Sequence, residues 1–270
     1  MIEDIKGRIK NLPPLPKNCQ KILDICASDE YGVGDLAKAI ESDPMMTAAI
    51  LKAANSPLYG FNRQIKSVSQ GVALFGKAMT KSIVMGSAVL GLFKVNIDPY
   101  GIKPEEFVNI SNEQAALVRA WFRKVSPPKA DDLFLCALLQ HTGKILLADE
   151  VVRRNDVMFF KNDIELSFNE AQVEMTNFGT TNVLVSAEIF EFWGFEPSLV
   201  ESIRASNDPQ NAPEEYKQSA WALFIVRAMI NQKQRLSEQS VQLGLNLCEQ
   251  AGFDPQILAD AVASLKQNLG

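Results

Sequence analysis

Residues 42–60 read SDPMMTAAILKAANSPLYG, and this stretch carries the start, the buried face and the end of one helix. Asp43 before Pro44 is typical of a helix N-terminus, because an acidic N-cap accepts backbone N–H groups and proline fits the first helical position. Apolar residues then recur at three- and four-residue spacing, which indicates one buried helical face. These residues are Met46, Ala49, Ile50 and Ala53. The pattern stops before the next proline, so the stretch predicts a helix over 44–54 followed by a turn.

The rest of the chain shows the same helical periodicity and no sustained two-residue alternation. Residues 133–139 are apolar almost all round, and residues 183–193 nearly so, which is typical of helices at the centre of a bundle. Apolar residues make up 47% of the chain and charged residues 22%, the balance of a soluble globular protein. We therefore predict an all-α fold, a multi-helix bundle in which an N-terminal helical subdomain packs on a second helical subdomain.

A polar stretch with two prolines and a glycine, residues 96–104, interrupts the helical pattern. This composition favours a loop between folding units. We place the subdomain boundary there, with an N-terminal unit of residues 1–97 and a second unit of residues 104–270.

Targeting signals and cysteine spacing indicate the cellular compartment of a protein. The N-terminus lacks an apolar segment of signal-peptide length. The most apolar run, residues 220–230, is interrupted by Arg227 and is too short to cross a bilayer. The four cysteines form no CxxC pair, and Cys19 and Cys26 share one helical face, which favours burial over redox chemistry. We expect a soluble cytoplasmic protein without a membrane partner.

The net charge of −5 is divided unevenly along the chain. Residues 44–97 contain six lysines and arginines and no acid, a net charge of +6, whereas the segments on either side are acidic. One interpretation is a solvated face that compensates the acidic remainder. The other is a surface that docks an acidic protein or a phosphate-bearing ligand. The candidate residues of that surface are Arg63, Lys66, Lys77 and Lys81.

Two further segments accompany residues 42–60 in a characteristic order. Residues 12–16 read LPPLP, and residues 65–76 read IKSVSQGVALFG. Together the three resemble the N-terminal half of an HDOD domain, a relative of the HD and HD-GYP metal-dependent phosphohydrolases, and the resemblance covers residues 10–210. It implies a helical unit that serves bacterial signal transduction. We expect structural roles, rather than ligand binding, for the motif residues Leu12, Pro13, Leu15, Pro16, Asp43, Pro44, Asn55, Ser56, Tyr59 and Gly60.

The resemblance also implies where a metal site would lie. HD enzymes hold divalent metals with histidines and aspartates on several helices, and the metals activate water for attack on phosphate. This chain contains a single histidine, His141, so it cannot supply that set. By the resemblance, the metal-ligand positions fall on residues that are poor or isolated ligands, namely Ile110, Gln140, His141, Asn182, Ser206 and Asn207. We therefore expect no metal, no cofactor and no catalysis.

Three functions remain open at this stage. The first is a non-catalytic module that acts through protein–protein interaction in signal transduction, the process that the resemblance implies. The second is a receptor for a cyclic dinucleotide or related nucleotide in the degenerate cleft, with Arg63, Lys77, Lys81 or Lys144 as phosphate contacts. The third is a phosphohydrolase with atypical ligands, because a site made of Asp and Glu alone stays open. We do not expect nucleic acid as a partner, since residues 35–56, which resemble a helix-turn-helix, carry three acids against two lysines.

Overall fold

The computed structural model describes residues 2–28, 30–61, 64–93, 95–167 and 169–269. Within these ranges the chain is helical, apart from its loops and one isolated β-bridge between Ile230 and Arg235. The α-helices are α1 (Ile2–Lys10), α2 (Lys17–Ala27), α3 (Val33–Glu41), α4 (Pro44–Ala54), α5 (Val68–Gly91), α6 (Pro104–Val125), α7 (Ala130–Leu139), α8 (Gly143–Arg153), α9 (Val157–Leu166), α10 (Glu170–Phe178), α11 (Asn182–Phe192), α12 (Pro197–Ala205), α13 (Glu214–Met229), α14 (Glu238–Gln250) and α15 (Pro255–Leu269). Short 3-10 turns occupy Pro57–Tyr59, Asp98–Tyr100, Pro127–Lys129 and Pro209–Asn211. The predicted all-α class is confirmed.

Side-chain caps fix the start of several helices. In α4 the Asp43 carboxylate accepts hydrogen bonds from the backbone N–H groups of Met45 and Met46 (2.9 and 3.2 Å), which confirms the predicted cap. The Thr181 hydroxyl caps α11 in the same way, through the N–H of Leu184. These bonds satisfy N–H groups that have no partner within the helix, and so they define where each helix begins.

Helix α5 is a core helix of the N-terminal part. Among the described residues it is the one helix with the length and apolar composition of a membrane span, and 56% of its most apolar window is buried inside the protein. Its buried residues include Val72, Phe75 and Met79, and the helix packs against α3, α4 and α7. Gly76 has a positive φ of 77°, a conformation that glycine adopts without strain, and the helix is kinked there.

The helices form two groups with a shared core. Helices α2–α5 pack on one another in the N-terminal part, and α5 also packs on α7 of the second group. Helices α6 and α7 lie at the centre of that second group, and α15 returns to pack on α6 and on the 3-10 turn Pro57–Tyr59. Helix α1 packs on α8 and α11 instead of on its sequence neighbours. Cys19, Cys26, Cys136 and Cys248 are free thiols.

The segment predicted as the subdomain boundary, residues 96–104, is packed into the second group. Its 3-10 turn contacts α8 and α9. Tyr100 is buried, and its ring meets that of Phe160 edge-on with centroids 5.2 Å apart. The division into residues 1–97 and 104–270 stays a prediction, but this segment is part of the core and contributes to the site described next.

Candidate functional site

The turn between α7 and α8 brings polar side chains into the protein interior. Gln140 and His141 follow α7, and Gly143 begins α8. The Gly143 N–H donates to Ser186 Oγ (2.8 Å), which lies 2.9 Å from the Gln140 carbonyl oxygen and donates to it. A Cβ at residue 143 would lie 2.1 Å from the Asn182 carbonyl oxygen, so glycine is required for α8 to approach α11 this closely.

The first polar network is built around Arg227, the charged residue inside the apolar part of α13. Its guanidinium donates to Gln140 Oε1 (2.8 Å) and to the carbonyl and hydroxyl oxygens of Ser206 (2.6 and 2.7 Å). Gln140 in turn donates to Gln114 Oε1 on α6 (2.8 Å), and Gln114 donates to the Ile230 carbonyl (2.7 Å). One cation thus connects α13 with the turn after α7 and with the end of α12.

The second polar network runs from His141 to Tyr100. His141 Nδ1 lies 3.1 Å from Asn182 Oδ1, and the backbone and side-chain N–H groups of Asn182 donate to Glu174 (2.7 and 3.0 Å). The Tyr100 hydroxyl donates to the same carboxylate (2.8 Å). Because the Asn182 amide nitrogen donates to Glu174, its oxygen must accept, and a neutral His141 therefore carries its proton on Nδ1.

Burial sets the charge states in both networks. It raises the pKa of Glu174 to about 7, with the charge of Glu170 adding to the rise and that of Lys144 opposing it. Burial, together with the charges of Lys144 and Arg227, holds the pKa of His141 well below its ordinary value. Burial also lowers the pKa of Arg227 to about 10. At neutral pH the centre therefore holds a neutral imidazole, a charged guanidinium and a carboxyl group that keeps its proton more readily than an ordinary glutamate.

Four of the six predicted degenerate positions meet in these networks: Gln140, His141, Asn182 and Ser206. Asn207 lies next to them in the chain and accepts a hydrogen bond from the Thr181 hydroxyl (2.6 Å). Ile110 is buried in the apolar core, and the residue of α6 that bonds to Gln140 is Gln114, one turn further on. The sequence did not predict three further residues of these networks, which are Gln114, Glu174 and Tyr100. It showed Arg227 only as a charge that interrupts an apolar run.

The motif residues of the N-terminal part make structural contacts. Asn55 donates to the Ile65 carbonyl and accepts from the Ile65 N–H (2.8 and 2.9 Å), which fastens the segment before α5 to the end of α4. The Trp193 indole N–H donates to the Pro13 carbonyl (2.9 Å), so the proline-rich loop 12–16 is attached to the end of α11. Ser56 caps the following 3-10 turn, and Gly60 ends it in the left-handed region. The Tyr59 ring packs edge-on against the ring of Phe75.

The four residues of the predicted basic surface have different surroundings. Lys77 Nζ donates to the Ser28 carbonyl (3.0 Å), and Lys66 is exposed before the start of α5. Lys81 lines a cavity together with several carboxylates. Arg63 lies outside the described residues. A common partner or phosphate surface made of these residues stays a prediction.

The polar centre does not fit a divalent metal. The amides of Gln114 and Gln140 bond to each other and to Arg227, whose positive charge repels a second cation at the same place. Both carboxylate oxygens of Glu174 accept hydrogen bonds. Within the described ranges no three His, Cys, Asp or Glu side chains lie close enough together to hold a metal ion.

Comparison with known proteins gives a family and several structural relatives. The family model of the HDOD domain matches residues 12–209. A virulence factor from Campylobacter jejuni subsp. jejuni is 28% identical with a TM-score of 0.60, and the match covers 99% of this chain and 100% of that one. A protein from Shewanella amazonensis SB2B, named provisionally as a phosphohydrolase, is 20% identical with a TM-score of 0.74 over 98% of each chain.

Two further relatives are longer than this chain. A protein from Marinobacter aquaeolei VT8, named provisionally as a signal transduction protein, is 21% identical with a TM-score of 0.72, over 96% of this chain and 57% of that one. An uncharacterized protein of Treponema pallidum (strain Nichols) is 20% identical over 221 residues, which are 79% of this chain and 41% of the relative. This chain therefore spans less than half the length of that curated relative, and the Shewanella and Marinobacter structures establish a common fold alone.

Proposed function

The chain belongs to the HDOD domain family, and from this premise we propose that it is a non-catalytic module of bacterial cytoplasmic signalling that acts by binding another protein. The structural relatives named for signal transduction and for phosphohydrolase activity share its fold. The observation that carries the proposal is the guanidinium of Arg227, which bridges Gln140 and Ser206.

These two residues fall, by family resemblance, on positions where HD enzymes place metal-ligating histidines. A half-buried guanidinium that bridges them supplies a positive charge to the polar centre, but it cannot bind and activate a water molecule as a metal does. With a pKa of about 10, Arg227 stays protonated at neutral pH and cannot act as a base. The helical frame is thus kept without the phosphohydrolase chemistry.

A nucleotide receptor in the same centre receives less support. Lys144, the nearest candidate phosphate contact, is buried and forms an ion pair with Glu170 at 2.6 Å. Its ammonium group also lies 5.0 Å from the centre of the Tyr100 ring. A phosphate would have to replace both contacts, so nucleotide binding stays a prediction from the sequence.

The outer face of α9 supports binding to a protein. Three of its apolar side chains are mostly exposed, with fractions of 79% for Met158, 78% for Phe159 and 72% for Leu166. Phe159 and Leu166 are seven residues apart and so share one face of the helix. Beside Leu166, a shallow groove of about 300 Å³ separates α9 from α10. Large apolar side chains concentrated on one exposed helix face are typical of an interaction surface.

The absence of catalysis is tested with the purified protein, bis(p-nitrophenyl) phosphate and a cyclic dinucleotide, each with Mn²⁺ or Mg²⁺. His141→Ala, purified in the same way, controls for contaminating phosphatases. We expect the two proteins to show the same residual rate. A metal-dependent rate in the wild type that falls in His141→Ala would overturn the non-catalytic assignment.

Partner binding is tested by placing the photo-crosslinking residue benzoylphenylalanine at position 159 in living cells. Position 243 is the matched control, because Leu243 is an exposed apolar residue on a different helix, α14. We expect position 159 to form one discrete adduct with another protein, which is lost when Leu166→Glu is added, and position 243 to form none. An adduct with the mass of two copies assigns the face to self-association, and the absence of any adduct contradicts a role for α9.

A further inference from the structure

A cavity of about 550 Å³ lies where the N-terminal helices meet the second group. Helices α2 and α5 contribute to one side of its wall, and α7, α12 and α13 contribute to the other. Leu133, Cys136 and Leu199, which are all buried, form part of an apolar lining. The volume is within the range of sites for small organic ligands, about 300–1,000 Å³. The cavity shares no lining residue with the polar centre or with the α9 face.

Carboxylates outnumber ammonium groups around this cavity. The acids that line it are Asp24, Asp132, Glu196 and Glu215, and the bases are Lys81 and Lys129. The ammonium group of Lys129 is engaged by a hydrogen bond to Gln218 (2.9 Å). The cavity therefore has a net negative charge, and one of its two cations already has a protein partner.

Two of these carboxylates lack partners. Among the described residues, neither Asp132 nor Glu196 takes part in a side-chain hydrogen bond or an ion pair. The Asp132 side chain is exposed but partly desolvated by the cavity wall, which raises its pKa; the charge of Lys81 opposes the rise, and that of Glu196 adds to it. The two acids therefore repel each other across a space in which no protein group neutralises both.

Two hydroxyl groups in the wall also lack partners. Ser202 and Ser219 line the cavity and are only 6% and 8% exposed. In the part of the chain that the structure describes, neither side chain forms a hydrogen bond. Both hydroxyl groups are accessible from the cavity, so they can exchange hydrogen bonds with a polar group that is bound there.

We propose that this cavity binds a small organic cation, an amine whose ammonium group is held by Asp132 and Glu196 and whose apolar body rests on Leu133 and Leu199. The lining matches both parts of this ligand, since the carboxylates attract a positive charge and the two leucines offer apolar contacts. An anion such as a nucleotide would meet four carboxylates in the same space, which disfavours it. The proposal goes beyond protein binding at α9 and does not depend on it.

Three probes of the same shape and different charge test this proposal: phenethylamine, 2-phenylethanol and phenylacetate. In isothermal titration calorimetry with the full chain, we expect phenethylamine to bind most tightly, the alcohol to bind more weakly and phenylacetate not to bind. Asp132→Asn combined with Glu196→Gln should lower the affinity for phenethylamine by about tenfold, because two partly exposed charge pairs together contribute about 1.4 kcal/mol. The affinity for the uncharged alcohol should not change.

Glu238→Gln combined with Asp260→Asn is the matched control. These two acids are exposed and lie outside the cavity, so the double variant has the same net charge as the cavity variant. We expect it to bind the amine as the wild type does. The cavity acids are exposed too, so thermal unfolding should show that both variants stay folded. The proposal is overturned by equal or tighter binding of phenylacetate, by no binding of the amine, or by equal amine affinity in the two double variants.

Discussion

Arg227 illustrates how much of the candidate site depends on a single side chain. Arg227→Met keeps the apolar stem and removes the three donated hydrogen bonds, so Gln140 Oε1 and both oxygens of Ser206 lose a donor. We expect the free energy of unfolding to fall by about 3 kcal/mol, the cost typical of buried polar groups that are left without partners. Urea unfolding followed by circular dichroism measures this change.

Arg153→Met is the matched control for that experiment. The Arg153 side chain is 61% exposed and lies 3.5 Å from Glu150, which keeps a shorter ion pair with Arg154 (2.9 Å) when Arg153 is replaced. We expect its substitution to change the free energy of unfolding by no more than about 0.5 kcal/mol. Equal losses in the two variants would show that the hydrogen bonds from Arg227 to Gln140 and Ser206 do not stabilise the protein.

Glu174 predicts a dependence of stability on pH. Its pKa is raised from 4.5 to about 7 in the folded protein, so the folded state keeps a proton that the unfolded chain has already lost. The stabilisation from this proton is complete below the unfolded pKa of 4.5 and is lost as the pH rises through about 7. The full effect is about 3 kcal/mol.

Glu174→Gln provides the measurement, because the variant lacks the titrating group. Between about pH 4 and pH 8, the free energy of unfolding of the wild type relative to the variant should fall by up to about 3 kcal/mol. His141 has the opposite effect, because its pKa is lowered and the protein therefore loses stability as the pH falls below the ordinary histidine value of 6.5. This contribution cancels in the comparison, because His141 is present in both proteins. A difference that stays constant with pH would contradict the expected titration of Glu174.

At this scale the sequence shows which residues lack metal-binding chemistry, but not which residues take their place. Arg227 is visible in the sequence as the charge within the apolar residues 220–230, and a charge on an apolar helix face needs a partner. Its partners, however, are 87 and 21 residues away along the chain. Gln114 was not predicted, because it lies one helical turn from Ile110 and the spacing within a helix does not show which turn faces a distant residue.

At the scale of helices, the close approach of α8 to α11 depends on glycine at residue 143. In Gly143→Ala the new Cβ would lie 2.1 Å from the Asn182 carbonyl oxygen and 2.9 Å from the Ser186 nitrogen, and both are backbone atoms. We expect a loss of about 3 kcal/mol in the free energy of unfolding, because α11 must shift as a whole to relieve the overlap. Gly7→Ala on α1 is the control, since its Cβ meets no atom within 4 Å and should be neutral or stabilise by about 0.5–1 kcal/mol. Similar effects of the two substitutions would contradict the close packing.

Trp193 attaches the N-terminal segment to the second group of helices. Trp193→Phe retains an aromatic ring next to Phe93, whose centroid lies 5.9 Å away, but removes the hydrogen bond to the Pro13 carbonyl. We expect the amides of residues 2–16 to exchange with solvent about fivefold faster, because such a bond contributes about 1 kcal/mol. Hydrogen exchange followed by mass spectrometry measures this segment directly.

Trp221→Phe is the control, since the Trp221 indole nitrogen has no hydrogen-bond partner among the described residues. It should leave the exchange of residues 2–16 unchanged. If Trp193→Phe also leaves it unchanged, the segment is held instead by Arg8, which bonds to Asp149 and to the Leu146 carbonyl.

Helix positions could be predicted because caps and periodicity are local properties. The helix predicted over 44–54 coincides with α4. Residues 96–104 show the limit of such patterns, since the chain does break there, yet Tyr100 is buried and bonds to Glu174, 74 residues further on. A break in periodicity shows where a helix ends, but not against which distant residues the following segment packs.

At the scale of the whole molecule, the cavity could not be predicted at all. Its wall combines α2, α7 and α13, and each of these segments separately has the pattern of an ordinary helix. The basic composition of residues 44–97 left open a solvated face or an anion-binding surface, and in the folded chain Lys81 lines a cavity together with carboxylates from other segments. The charge of a site depends on the neighbours that folding brings together, and the charge of one segment does not determine it.

The contacts between the two groups of helices form an interface rather than a flexible link. The Ser82 hydroxyl on α5 lies 3.3 Å from the Asp131 carbonyl oxygen at the start of α7 and donates to it. Leu138 packs against Gly86 so closely that a Cβ there would lie 2.3 Å from its side chain. Because helices of both groups share this interface, partial unfolding of one group would expose apolar surface on the other.

We therefore expect one cooperative unfolding transition in urea, followed by two probes. The three tryptophans, Trp121, Trp193 and Trp221, follow residue 104, so fluorescence reports on the second group, whereas far-UV circular dichroism reports on helices of both groups. Tyr59→Ala removes a ring of the N-terminal group whose centroid lies 6.3 Å from that of Phe134 on α7. It should lower the free energy of unfolding by about 3 kcal/mol and shift both transitions equally. If only the circular dichroism transition shifts, the two groups unfold independently, and the cavity between them opens before the second group unfolds.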